Sequence, residues 1–171
     1  MAPRYAPTAL LDISVAPLLW NYGDDASFRQ SPKVNKSWTG TALQMHQSAF
    51  TSGLGLKAPM HLHYNLTKIR TLRPGITHLI MAAGMDDGCD HGGARTAPYN
   101  CHGIAAWQHA VVKIFVDGAL VGESPVLQAE TLRWVFKIGL PPTSTLLRII
   151  SEPVDGRVEA HQQEAYDYVD L

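Results

Sequence analysis

The sequence predicts an all-β protein, an antiparallel β-sandwich of jelly-roll type. Three observations predict it. Several short segments alternate apolar and polar residues with a period of two, the pattern of a half-buried strand. Turn signals, Asp117-Gly118 and Pro141-Pro142 among them, separate those segments at intervals that suit a sandwich. Helical periodicity is thin: Ala9 to Trp20 is apolar but broken by Pro17, and Gly103 to Val111 has room for one turn at most.

Taken in order, the polar stretch Lys33 to Thr41 leads into the apolar residues around Leu43 and Met45. His61 to Leu66 places Leu62, Tyr64 and Leu66 on one face and His61, His63 and Asn65 on the other. Thr77 to Ala83 is mostly apolar and reads as a central strand. Val111 to Val116 is rich in β-branched residues and runs into Asp117-Gly118, a dipeptide suited to a two-residue hairpin whose central residues both need positive φ. Ala119 to Gly122 is the return strand. Leu132 to Ile138 alternates, which puts Trp134 in the core beside Phe136. Leu146 to Ile150 reads as another central strand, and Ala165 to Leu171 closes the chain. The face carrying His61 and His63 reads as the solvated face of an edge strand.

The chain has 171 residues, 46% of them apolar and 17% charged. That is enough for one domain, residues 1–171, with a sizeable core. A net charge of −1 gives no electrostatic case for nucleic acid. No apolar run reaches the length of a membrane span, so membrane insertion is not expected. Residues 1–12 do not read as a signal peptide, because Pro7 and Asp12 interrupt any apolar core.

Three phrases in order carry a resemblance. They are Thr51-Ser52-Gly53-Leu54-Gly55-Leu56-Lys57-Ala58-Pro59, then Ala82-Ala83-Gly84-Met85-Asp86-Asp87, then Phe115-Val116-Asp117-Gly118. A glycine-leucine-glycine lead-in, an Asp-Asp corner and a valine-Asp-Gly hairpin in this order resemble the NPCBM family, which includes carbohydrate-binding module family 51. The resemblance runs from about Leu10 to Leu171. It implies a non-catalytic module that binds a carbohydrate, such as a terminal galactose-type sugar of a glycan. It also implies an extracellular or cell-surface setting, and a larger host protein or a homo-oligomer as protein context. Lys57 stands where the family usually has histidine, and Gln162 to Tyr166 departs from the family's tail. These departures favour the alternative of a protein-interaction or structural sandwich that has lost its sugar site.

Two long irregular segments, Tyr22 to Thr41 and Asp86 to His109, are the candidate site, because loops can carry polar groups and aromatics that need not serve the core. Asp86 and Asp87 can accept hydrogen bonds from sugar hydroxyls, or hold a structural calcium with backbone carbonyls. Their bland reading is a corner that caps backbone N–H groups. His91 can donate or accept a hydrogen bond. Tyr99 and Trp107 offer flat faces for the C–H side of a sugar ring, with Trp38 as a neighbour; their bland reading is to anchor the loop. No cofactor is required.

Cys89 and Cys101 are either a disulfide closing a short loop or two free thiols. With His91 and His102 they hold zinc-type donors, but at spacings unusual for zinc. Asn35-Lys36-Ser37 and Asn65-Leu66-Thr67 are glycosylation sequons. No nucleophile elbow, phosphate loop or His-Glu-x-x-His appears, so an enzyme is not expected.

Overall fold

Alternation at Met60–Asn65 produces the strand around which the fold is organised. Leu62 and Tyr64 are completely buried on one face, while His61, His63 and Asn65 are half-buried on the other. A computed structural model describes residues 32–37, 40, 42–45, 48–85, 109–128 and 132–154, and the backbone of 18–22 and 168–170. Its elements are β1 Leu18–Tyr22, β2 Lys33–Val34, β3 Leu43–Met45, β4 Ser48–Phe50, β5 Leu54–Lys57, β6 Met60–Asn65, α1 Leu66–Leu72, β7 His78–Met85, β8 Ala110–Val116, β9 Ala119–Glu123, β10 Trp134–Gly139, β11 Leu146–Pro153 and β12 Tyr168–Asp170.

Two five-stranded sheets form from these strands. The front sheet has the order β1-β6-β11-β8-β9 and the back sheet β10-β7-β12-β5-β2, while β3 and β4 pair as a separate hairpin. Every pairing is antiparallel. One core lies between the sheets. Leu62, Tyr64, Val112, Ile114, Leu147 and Ile149 reach it from the front, and Leu54, Leu56, Leu79, Met81 and Phe136 from the back. The chain is thus an antiparallel β-sandwich of jelly-roll type, with alternate residues of both sheets forming its core.

Two glycines lie close against side chains of other elements. A Cβ built on Gly122 of β9 would lie 2.9 Å from Ile138 Cδ1 and 3.2 Å from Phe136 Cδ1 on β10. A Cβ on Gly84 of β7 would lie 2.8 Å from Met45 Sδ, so glycine there seats the β3–β4 hairpin against the back sheet.

Three expectations need correction. The segment after Asn65 is a helix, α1, which the period-two pattern of β6 concealed. Asn65 caps it: its side chain accepts from the Lys68 N–H at 2.9 Å. Leu66 and Ile69, one turn apart, are its buried residues, and Pro74 follows its end. A helix of seven residues is too short to hold on propensity alone, so this burial and the cap sustain it.

His61 and His63 are not on an edge strand, because β6 lies between β1 and β11. His63 faces Arg148 across the β6–β11 pairing. Burial first, then Arg148 and His61, hold its pKa below the usual histidine value.

Trp134 is not a core residue. It shares a strand face with Phe136, yet Phe136 is 3% exposed and Trp134 43%. Leu132, just before the strand, is 72% exposed. The alternation is right, but the buried part of the face ends at Phe136, because Trp134 stands at the strand's first position.

Candidate functional site

The register places two kinds of connection at opposite ends of the sandwich. At one end the connections are short and locked by hydrogen bonds. Asp117 and Gly118 both have positive φ, +48° and +88°, as the hairpin between β8 and β9 requires. The Asp117 carboxylate accepts from Thr145 N at 2.9 Å, Thr145 Oγ1 at 3.0 Å and Leu146 N at 2.9 Å. These bonds, the one from the Thr145 backbone foremost, hold its pKa below the usual carboxylate value.

Arg70 of α1 donates to Pro141 O at 2.7 Å and Ser144 Oγ at 3.0 Å, and also to Ser144 O. Leu66 N donates to Thr145 O at 2.8 Å. Asn35, with φ +56°, accepts from Gly53 N at 3.2 Å through its side chain. Asn35 and Asn65, the two sequon asparagines, therefore both serve backbone geometry.

The other end is built differently. Front-sheet register brings together Tyr22 with His61, Met60 with Ser151, and Pro153 with Ala110. Back-sheet register brings together Tyr168 with Lys57, Val169 with Met85, and Trp134 with Ala83. Only Ala58 and Pro59 separate Lys57 of one sheet from Met60 of the other, so these termini share one end of the sandwich. Residues 23–31 follow Tyr22, residues 86–108 join Met85 to His109, and residues 155–167 join Val154 to Tyr168. Met85, before segment 86–108, belongs to the back sheet, and Ala110, just after it, to the front one.

None of the site residues expected from the sequence falls on a described strand. Asp86, Asp87, His91, Tyr99, Trp107 and Trp38 lie outside the described residues, as do Cys89, Cys101 and His102. The frame fixes where their chain begins and ends: Asp86 follows Met85 directly in sequence, and Trp107 comes two residues before His109. His109 is held in place, its carbonyl accepting from Val154 N at 2.8 Å. Beside it, Lys113 and Glu152 form an ion pair at 2.5 Å that raises the lysine pKa, chiefly through their hydrogen bond.

Trp134 is the described aromatic that strand alternation puts in the core and the structure leaves exposed. It opens β10 at this same end, opposite Ala83 and two residues short of Met85 on the neighbouring strand. The available signal was its place at the start of the alternating run, where burial fades. Among the described residues no group of three His, Cys, Asp or Glu side chains could hold a metal. His61 and His63 thus lack a third donor there, and Arg148 beside His63 opposes a cation. No described helix is long and apolar enough to cross a membrane.

No family model and no curated protein matches the sequence. Solved structures do match in fold. The CBM51-2 and INT domains of Clostridium perfringens ZmpB align at 15% identity and a TM-score of 0.65, over 93% of this chain and 29% of that one. The same pair of domains, with CBM51-2 in complex with N-acetylglucosamine, aligns at 15% identity and a TM-score of 0.64, over 93% and 29%. The CBM51 of Clostridium perfringens GH95, in complex with methyl-galactose, aligns at 12% identity and a TM-score of 0.67, over 94% of each chain. The chain therefore spans under a third of the ZmpB structures but matches the single module nearly end to end. Its fold is that of the CBM51 carbohydrate-binding modules.

Proposed function

We propose that the protein is a non-catalytic carbohydrate-binding module whose site lies at the end of the sandwich where residues 23–31, 86–108 and 155–167 connect the strands. One observation carries this reading. The opposite end commits its polar side chains, Asp117, Arg70 and Asn35, to holding the fold, whereas this end carries long connections rich in Asp, with His91, Tyr99, Trp107 and Tyr166 among their other residues. A rigid frame with chemistry on its loops is the usual division of labour in binding proteins. The CBM51 fold, whose solved examples include complexes with methyl-galactose and N-acetylglucosamine, supports it.

In this reading Asp86 and Asp87 accept hydrogen bonds from hydroxyls and His91 supplies another. Trp107 or Tyr99 stacks on the C–H face of the ring. The preferred ligand is a terminal galactose-type sugar of a glycan. Asp86 and Asp87 also have the donor chemistry for a structural calcium, and Cys89 and Cys101 pair if the protein matures in an oxidising compartment. The module belongs in this reading to a larger host protein, as the ZmpB modules do. A glycan array tests the reading: binding to galactose-terminated glycans supports it, and silence on every glycan refutes it. Absence of turnover on chromogenic glycosides is expected.

A second reading has its own observation. Ile80 and Val135, 64% and 58% exposed, point away from the core on the adjacent strands β7 and β10. An open aliphatic pair on a sheet face favours a protein partner there.

A further inference from the structure

The described aromatic side chains are disposed of in three ways. Tyr64 and Phe136 are buried in the core. Phe50 and Phe115 each lie under a guanidinium, Arg133 at 5.7 Å and Arg148 at 4.5 Å from the ring centres. Trp134 is the remaining one, nearly half exposed and, among the described residues, neither buried nor stacked under a cation. It is also the one aromatic among the large apolar residues that the described surface exposes.

Its position matters as much as its exposure. Trp134 begins a strand whose backbone is fixed by an unbroken register with β7, from Trp134 opposite Ala83 to Gly139 opposite His78. An aromatic platform on a strand is held more rigidly than one on a loop, and little conformational freedom is lost when a ligand covers it. Ala83 lies two residues before Met85, so Trp134 stands roughly 7 Å along the sheet from the point where residues 86–108 begin. It is at the loop end, yet outside the segment that carries the candidate hydrogen-bonding groups.

We infer that Trp134 forms a second sugar subsite beside the one proposed above, on which this inference rests. The loops take the terminal sugar. Trp134 takes the next pyranose of the chain, against whose C–H face its indole stacks. The ligand class is then a neutral oligosaccharide of at least two units, and the preference for it over a monosaccharide resides in Trp134.

The test compares two probes on the intact protein: methyl-galactoside and a disaccharide joining galactose to N-acetylglucosamine. Wild type, Trp134→Ala and Trp134→Phe are titrated calorimetrically, with melting curves to confirm that each is folded. Wild type is expected to bind the disaccharide at least about tenfold more tightly. Trp134→Ala loses that gain and keeps the monosaccharide affinity, and Trp134→Phe, which retains a ring, recovers most of it. Equal disaccharide affinity in wild type and Trp134→Ala overturns the subsite and leaves the carbohydrate reading standing. Loss of both sugars in a folded Trp134→Ala also overturns it, by placing the residue in the terminal-sugar site. If Trp134→Ala instead abolishes self-association of the wild type with sugar affinity unchanged, the surface is a protein interface and the subsite is refuted. Wild type that binds neither probe nor any arrayed glycan refutes the carbohydrate reading and this inference together.

Discussion

The Asp117 carboxylate accepts hydrogen bonds from both the amide and the hydroxyl of Thr145, at 2.9 and 3.0 Å. One residue thus closes the β8–β9 hairpin and ties it to the start of β11. Ordered donors of this kind favour the ionised form, and the bonds from Thr145 and Leu146 lower the Asp117 pKa on folding.

That lowering sets a pH dependence. A carboxyl whose pKa falls on folding stabilises the native state above its unfolded value, near pH 4, and loses that contribution as pH falls through the folded value. Asp117→Asn keeps a residue that tolerates positive φ but removes the charge. The variant should melt below wild type near neutral pH, and the gap should shrink on acidification below about pH 4. Melting curves across the acid range check this; a gap that stays constant with pH means that the Asp117 charge is not what stabilises the fold.

Phe136 and Trp134 separate the core from the loop end on one strand. Phe136→Ala should cost about 3–5 kcal/mol, because a buried aromatic leaves a cavity between packed sheets. Trp134→Ala should cost less, within about 1.5 kcal/mol, since much of its ring already faces solvent. Urea denaturation of both variants decides it. Equal costs mean that Trp134 packs like Phe136.

Gly122 and Ile138 should couple across the sandwich. An alanine at Gly122 meets Ile138 Cδ1 at 2.9 Å, so Gly122→Ala should destabilise by about 1–3 kcal/mol through overpacking. Ile138→Val deletes the atom that is met. The glycine substitution should then cost less in the valine background, by at least about 0.5 kcal/mol. Additive costs in a double-mutant cycle argue that the strain is relieved elsewhere, with the Phe136 ring at 3.2 Å the first place to look.

Much of the frame was legible in the sequence, for physical reasons. The β6 alternation, the β-branched run into Asp117-Gly118 and the apolar stretch of β7 are local signals that need no tertiary knowledge. The exception is α1. Its seven residues offer only Leu66 and Ile69 to the core, too few to stand out as a helical period, and its cap, Asn65, also ends a strand pattern. Trp134 was misplaced because alternation gives a side chain's face and not how far along the strand burial extends. The edge position expected for β6 failed because strand order depends on long-range pairing with β1 and β11, which no local pattern records. Candidate site residues such as Asp86 and Trp107 rest on residue type and place in the sequence, and the frame adds where their segment begins and ends.

The measurement that tests the central claim most directly is glycan binding by wild type, Asp87→Ala and Trp107→Ala under one set of conditions. Affinity for a monosaccharide should be weak, roughly millimolar to micromolar, because a small polar ligand displaces water that already bonds well. Each substitution should leave the melting curve near that of wild type and weaken binding at least about tenfold, or 1.4 kcal/mol. Wild-type affinity in both folded variants would contradict a site on residues 86–108, and no binding to any glycan would contradict a carbohydrate-binding module altogether.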